Sequence, residues 1–275
     1  MQVIERFVRA KSGNESKCED RIVVGEHFAA VIDGTTAKTR VRYDGLTPGQ
    51  LAATLLGDAI LTLSPSSSFS HTLKSLTDCL RYYYRRHGLL RQVREAPHER
   101  AAATVAIFSK FRREVWLVGE CKALIGRVSY SNEKDVDRIW ASARAIILEA
   151  ALARRATVDQ LRRNDLGRNF IRPGLVVQGR LQNAGARYQY GYAAIDGFPV
   201  KAHRFEIIRV PHGVNQIVLA TDGYPELRRT LYQTEVGLRN VLRRDPLCFR
   251  LHQATKGVGF GEESFDDRAY LRLRL

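Results

Sequence analysis

Two β-like runs, Phe28-Ala29-Ala30-Val31-Ile32 and Gln216-Ile217-Val218-Leu219-Ala220, feed into Asp-Gly turns, Asp33-Gly34 directly and Asp222-Gly223 after Thr221. A third acidic pair, Asp266-Asp267, precedes a segment in which Ala269, Leu271, Leu273 and Leu275 alternate with Tyr270, Arg272 and Arg274, the period of a half-buried strand. Three acids at strand ends can converge on one edge of a sandwich. A carboxylate is a hard oxygen ligand, and a neighbouring glycine lets backbone carbonyl or metal-bound water approach closely. Asp-Gly is also a common turn dipeptide, and Asp44-Gly45 and Asp196-Gly197 read as plain turns. What separates Asp33 and Asp222 from these is the apolar β run before each.

The intervals carry other strands and helices. Met1 to Arg9 alternates as a strand, and Arg21 to Val24 forms a hairpin with Phe28 to Ile32. Thr47-Pro48 is a cap followed by proline at a first helical position, and Leu51, Leu55, Leu56, Ala59 and Ile60 follow at helical spacing. Ser64 to Ser68 interrupts the pattern before a second stripe of Leu73, Leu76, Leu80 and Tyr83. Ala103 to Phe108, Glu114 to Gly119 and Lys122 to Ile125 read as a meander. A long helix capped by Ser131 or Asn132 then carries Val136, Ile139, Trp140, Ala143, Ile146, Ile147, Ala150 and Ala151 at the 3.6 period. Thr157 to Ala186 reads as a short helix plus a long connection overhanging a site. Tyr188 to Ile195 and Arg204 to Val210 resume the strands, and a helix bearing Leu227, Leu231, Val236 and Leu238 follows Gly223. Strand groups alternating with helix pairs predict an α+β layered fold, because a β core needs helical cover.

With 275 residues, one domain spanning 1–275 is favoured over two. A net charge of +15 suits nucleic acid or another anionic partner, but the cations are mostly Arg and scattered, as on a solvated surface. Cys18, Cys79, Cys121 and Cys248 form no CxxC pair, which argues against a zinc knuckle or a disulfide framework. No apolar stretch approaches the roughly 18 residues of a membrane helix, and the start lacks a signal-peptide core, so a soluble, cytoplasmic protein is expected. Lys256-Gly257-Val258-Gly259-Phe260-Gly261 lacks the following helix and Ser/Thr of a P-loop and reads as a flexible loop. In Tyr82 to His87, Tyr83 is expected to pack inward rather than stack on bases. Among the histidines, His27 stands out, at the start of the strand leading to Asp33.

The order of these motifs resembles the type 2C (PPM) metal-dependent protein phosphatases along nearly the whole chain. Cys18-Glu19-Asp20-Arg21 resembles that family's first acidic motif, and Phe28 to Gly34 its strand-ending Asp-Gly. The strand, Gly-Asp-Ser and strand block resembles Ala103 to Ile107 with Leu117-Val118-Gly119-Glu120-Cys121-Lys122-Ala123. Ile217 to Tyr224 resembles the second Asp-Gly motif, and Ser264 to Tyr270 the closing acidic pair before a last strand. The resemblance implies a four-layer αββα sandwich, a central pair of mostly antiparallel β-sheets flanked by helices. It further implies two or more Mg²⁺ or Mn²⁺ ions, with Asp33 bridging, the Gly34 carbonyl on one ion, Asp222 and Asp266 on the other, and Glu19 and Asp20 acting through bound water. A further ligand would fall at Asp135 or Asp137, and Asp267 would support the turn.

In the chemistry so implied, metal-activated water attacks a phosphoserine or phosphothreonine directly. That agrees with a sequence lacking an HCx5R loop or a GxSxG elbow. The implied partners are a phosphorylated protein and a cognate Ser/Thr kinase, with no membrane. Three departures concern the substrate side. The family's phosphate-holding Arg is missing before the acidic pair, where Asn14-Glu15-Ser16-Lys17 leaves Lys17 as the substitute, a point charge without a bidentate fork. Thr35-Thr36 replaces a His-Gly type sequence, and Glu120 replaces Asp. Two rival readings are a binding or sensing module of the same fold and a basic nucleic-acid-associated protein.

Overall fold

The computed structural model describes residues 1–201 and 204–275. Ten strands form two antiparallel five-stranded sheets among the described residues. The first contains β2 (Asp20–Val24), β3 (Phe28–Gly34), β4 (Ala103–Ser109), β5 (Glu114–Val118) and β8 (Phe205–Arg209), in that spatial order. The second runs β1 (Gln2–Arg9), β10 (Arg268–Arg274), β9 (Gln216–Ala220), β6 (Lys122–Ile125) and β7 (Val128–Tyr130).

The sheets meet face to face through alternate residues. Ala29, Val31, Ala106, Phe108, Val115 and Leu117 of the first sheet pack on Ala123, Ile125, Ile217, Leu219, Leu271 and Leu273 of the second. The intervening residues point outward, and helices cover them. Ala30, Ile32, Val105, Ile107 and Trp116 lie under α1 (Pro48–Leu61) and α2 (Phe69–Arg86), with Val93 of the short α3 (Leu90–Glu95) in the same cluster. On the other side Leu124, Val218, Ala220 and Tyr270 lie under Leu238 of α7 (Leu231–Arg244). The result is the predicted four-layer αββα sandwich, and it explains why the Phe28 to Ile32 run lacks polar residues: both of its faces are buried.

Local chemistry sets several boundaries as expected. Thr47 and Gln50 exchange backbone and side-chain bonds in a capping box at the start of α1. Other boundaries differ. The expected meander is split, since β6 leaves β5 and joins the second sheet between β9 and β7. The terminal strand is not half-buried, because β10 is flanked by β1 and β9 and Tyr270 is fully buried. The long helix, α4 (Asp135–Ala153), starts at Lys134 without a side-chain cap, rather than at Ser131 or Asn132. It buries Val136, Ala141, Arg144, Ala145 and Leu148, leaving Ile139 and Ile146 exposed. A buried arginine moved that face away from the apolar stripe.

The segment read as a long connection is mostly helical, with α5 (Val158–Arg163), α6 (Leu166–Val177) and a short 3-10 turn. Thr157 caps α5 in a box with Gln160, and Asp165 caps α6, so capping outweighs Gly167, Pro173 and Gly174. Tyr188 to Ile195 forms only isolated bridges, Gln182 with Tyr192 and Ala103 with Ile195. Leu227 precedes α7 instead of lying on it. Tyr84, not Tyr83, is the fully buried tyrosine of α2, while Tyr83 donates to Asp44.

Much of the basic excess staples loops. Arg112 donates to the Ser66 and Ser67 carbonyls, Arg113 to those of Pro211, His212 and Val214, and Arg162 to those of Val258 and Gly259. The planar fork of Arg suits such clamps better than a Lys ammonium does.

Candidate metal centre

Antiparallel pairing delivers the acids to one end of the sandwich. Asp20 opens β2 and Asp33 lies one residue before the end of β3, and the two are directly opposite in register. Opposed like charges destabilise a strand pair, so their placement is a cost to the sheet. Asp222 follows β9, Asp266 precedes β10 and Glu120 precedes β6. Asp222, Asp266 and Glu120 line one groove of about 390 Å³, together with Lys134, Asp137, His252 and Lys256.

Each acid has a different set of partners. Thr104 donates to Asp33 Oδ2 at 3.2 Å, and Thr221 to Asp20 Oδ2 at 2.6 Å. Glu19 accepts from the Thr47 hydroxyl at the start of α1. Asp267 accepts from the Lys11 and Glu19 backbone amides at 2.9 and 2.8 Å, tying the β1–β2 connection to the start of β10. Asp266 pairs with Lys256 at 2.6 Å and lies 3.6 Å from the Lys11 ammonium. Glu120 pairs with Lys134, which also lies 3.7 Å from Asp137.

The electrostatics follow from these contacts. Burial first, and then Asp266, pushes the Asp33 carboxyl up to about 7. Burial and Asp33 drive Asp20 and Asp222 well above the ordinary carboxylate range. Asp266 goes the other way: burial raises it, but Lys256 and Lys11 hold it below the usual value. One side of the centre therefore crowds carboxyls that burial and mutual repulsion make hard to ionise, whereas on the other the chain's own lysines hold the carboxylate ionised.

A hard divalent cation needs oxygen donors that are free to coordinate it. Crowded, half-buried oxygen donors fit at the Asp33 and Asp222 side. The Asp266 side does not fit, because ammonium groups already engage that carboxylate. Among the described residues, no three His, Cys, Asp or Glu side chains converge on one metal position.

Other expected site residues separate sharply. Gly34 is required by packing: a Cβ there would lie 2.5 Å from the Gly49 carbonyl oxygen and 2.6 Å from that of Glu19. Gly223 is likewise pressed against the Asp267 carbonyl. Neither adopts positive φ. Asp137 lines the groove and accepts from Gln178, whereas Asp135 is exposed beside Arg138. Lys17 is exposed on a 3-10 turn and lines neither the groove nor the adjoining cavity. His27 lies beside Glu26 at the opposite end of β3 from Asp33. Asp196 is no plain turn residue: fully buried, it accepts from Arg100, Gln182, Asn183 and the Phe198 amide.

Sequence reasoning missed the lysines. Lys11, Lys134 and Lys256 come from three separate segments and reach the acids only through the fold. Lys256 had a signal, the glycine-rich run after it, and that run is fastened rather than free. The Val258 amide donates to the Pro246 carbonyl, and the Phe260 amide to that of Arg162. A second cavity of about 70 Å³ adjoins the groove, sharing Lys134, Asp137 and Thr255 with it and containing Lys38.

No described helix is long and apolar enough to cross a membrane. No family model and no curated protein matches the chain. Solved structures overlap it end to end. The serine/threonine phosphatase PstP/Ppp of Mycobacterium tuberculosis is 11% identical, with 100% of this chain and 99% of that one covered at a TM-score of 0.47. The serine/threonine phosphatase Stp1 from Staphylococcus aureus is 12% identical, covering 100% and 96% at a TM-score of 0.46. The catalytic domain of PstP in complex with two manganese ions is 13% identical, covering 98% and 97% at a TM-score of 0.43. At these scores the layered fold and the acidic centre stand on this chain's own residues.

Proposed function

We propose that the chain, as one domain over 1–275, is a metal-dependent phosphatase of the type 2C kind, acting on phosphoserine or phosphothreonine in protein substrates, opposite a Ser/Thr kinase. The observation that carries this reading is the crowding of Asp20, Asp33 and Asp222, delivered by separate strands to one end of the sandwich, where burial and one another make them hard to ionise beside an open groove. Carboxyls pushed out of their ordinary range by burial and by one another, at a cleft, are a feature of functional sites.

Asp33 and Asp222, with the Gly34 carbonyl, are the groups that would hold Mg²⁺ or Mn²⁺, and Glu19 and Asp20 would support them. When bound, such an ion supplies an activated water and draws charge from phosphoryl oxygens. The chain's own contribution is orientation and charge. The Thr104 hydroxyl fixes Asp33 Oδ2, and the Thr221 hydroxyl fixes Asp20 Oδ2. The Lys134 and Lys256 ammonium groups line the groove, where they meet the negative charge of a phosphate ester. Lys17 is too exposed and too separate from the groove for that part.

The pairing of Asp266 with Lys256 also favours a second reading, a sensing module that binds phosphoprotein without turnover. Hydrolysis of p-nitrophenyl phosphate and of a phosphothreonine peptide, with Mn²⁺ and with EDTA, separates the two. Mn²⁺-dependent turnover lost in Asp33→Asn and Asp222→Asn is expected. Activity that survives both substitutions, or persists in EDTA, would end the phosphatase mechanism.

A further inference from the structure

We infer that Lys256 stands in for one of the two divalent cations, so that the centre takes a single Mg²⁺ or Mn²⁺ ion, held by Asp33 and Asp222. The inference rests on the metal-dependent reading and concerns how many ions this chain accepts.

Both oxygens of Asp266 are engaged. Oδ2 is 2.6 Å from the Lys256 ammonium, while Oδ1 accepts the Asp267 amide at 3.0 Å and lies 3.6 Å from the Lys11 ammonium. By contrast, Asp222 has no hydrogen-bond or ion-pair partner among the described residues, and Asp33 has only Thr104 on Oδ2. A divalent ion on the Asp266 oxygens would sit at contact distance from a fixed ammonium, a repulsion that a half-buried site screens poorly.

The lysine is held where it is. Its neighbours are clamped on both sides, since Arg168 donates to the Thr255 carbonyl at 2.9 Å and the Val258 amide donates to the Pro246 carbonyl at 2.9 Å. A Cβ on Gly257 would lie 2.6 Å from the Leu247 carbonyl oxygen, so the backbone beside Lys256 is pressed against the segment after α7. The ammonium also lies within 3.4 Å of the Thr36 hydroxyl, which fixes its direction toward the strand end that carries Asp33. Lys11 is anchored too, with its amide on Asp267 and its carbonyl accepting from Glu263.

Counting ions tests this without reference to turnover. Mn²⁺ is titrated into the metal-stripped full chain, bound ions are counted by equilibrium dialysis, and the bound spin is read by electron paramagnetic resonance. The wild type is expected to hold one ion with an isolated-spin spectrum. Lys256→Met and Lys256→Gln are each expected to hold two, with the line broadening of a coupled pair. Two tightly bound ions in the wild type would overturn the inference whatever the variants do. So would a single ion in both variants when circular dichroism shows them folded. Failure of the phosphatase reading looks different: a wild type that holds one ion yet never cleaves p-nitrophenyl phosphate sinks that reading and leaves the single-ion centre standing.

Discussion

Buried charge is handled in opposite ways at two places in this molecule. Arg144 has no exposure, yet all five of its guanidinium donors are used: Nε and Nη2 on Asp165, Nη2 on the Leu247 carbonyl, and Nη1 on those of Cys248 and Ala254. Asp165 also caps α6, so one ion pair joins α4, α6 and the segment after α7. At the acidic centre the same fold sets Asp20 against Asp33 and leaves Asp222 without a partner among the described residues. A sequence able to satisfy an arginine so fully was able to neutralise three aspartates. The difference marks the carboxylate crowding as a cost the fold keeps, which the phosphatase proposal assigns to binding, whereas the arginine node is architecture.

The largest effect should come from breaking the architectural side. Arg144→Ala leaves Asp165 and three carbonyls without their donors, and removal of one partner of a buried pair costs roughly 3–5 kcal/mol. Urea unfolding followed by circular dichroism reads this directly. A loss under about 1 kcal/mol would place Arg144 outside the structural core of the comparison.

Asp222→Asn should separate stability from function. It is expected to lower Mn²⁺-dependent hydrolysis by at least about 100-fold, since even supporting residues around a metal cost 10–100-fold. In EDTA at pH 8 it should unfold at no lower a temperature than the wild type, because it removes a carboxylate that burial and Asp33 make hard to ionise. If it instead costs as much as Arg144→Ala, the Asp222 carboxylate is structural and the contrast collapses.

How much of this was legible depended on whether a signal was local. The acid-bearing strand ends were readable because each joins a β run to a turn within about ten residues, and α1 because Thr47, Pro48 and Gln50 lie together. A layered α+β core was readable from strand groups alternating with helices, but its division into two sheets came only through the family resemblance. The lysines were not, since Lys11, Lys134 and Lys256 meet the acids only after β1, α4 and the segment before β10 come together. The face of α4 was misread for the same reason: a buried arginine satisfied from three distant segments looks polar in sequence. Thr157 to Ala186 was misread because its helix-breaking residues are compensated by caps and by the packing of α6 on α4.

The pH dependence of the metal-stripped protein sharpens the contrast further. Asp33 is raised from 3.8 to about 7, so the folded chain keeps a proton that the unfolded chain has lost. Its contribution is fully present below pH 3.8 and disappears as pH rises toward about 7. Thermal stability in EDTA should therefore fall across that window, with a shallower slope in Asp33→Asn. Mn²⁺ should restore stability above pH 7 in the wild type by binding the ionised state. A wild-type slope that Asp33→Asn leaves unchanged would assign the loss to other groups.

The smallest effect belongs to Lys38, the cationic counterpart of the crowded acids. Burial first, and then Arg168, Lys256 and Lys134, lowers its ammonium to about 7, and its hydrogen-bond partner is the Thr36 carbonyl at 2.9 Å. An ammonium depressed in the folded state destabilises it below pH 7, and the penalty fades as pH rises from about 7 toward 10.5, where the unfolded chain also loses the proton. Lys38→Met should then stabilise the protein by on the order of 1 kcal/mol at pH 6, or about 2–4 °C in midpoint, with the gain shrinking by pH 10. Destabilisation of equal size at both pH values would mean that the Lys38 stem matters for packing rather than for charge. Stabilisation confined to low pH would instead place a poorly compensated cation in the cavity that adjoins the acid-lined groove, so that disfavoured charge of both signs meets at one end of the sandwich.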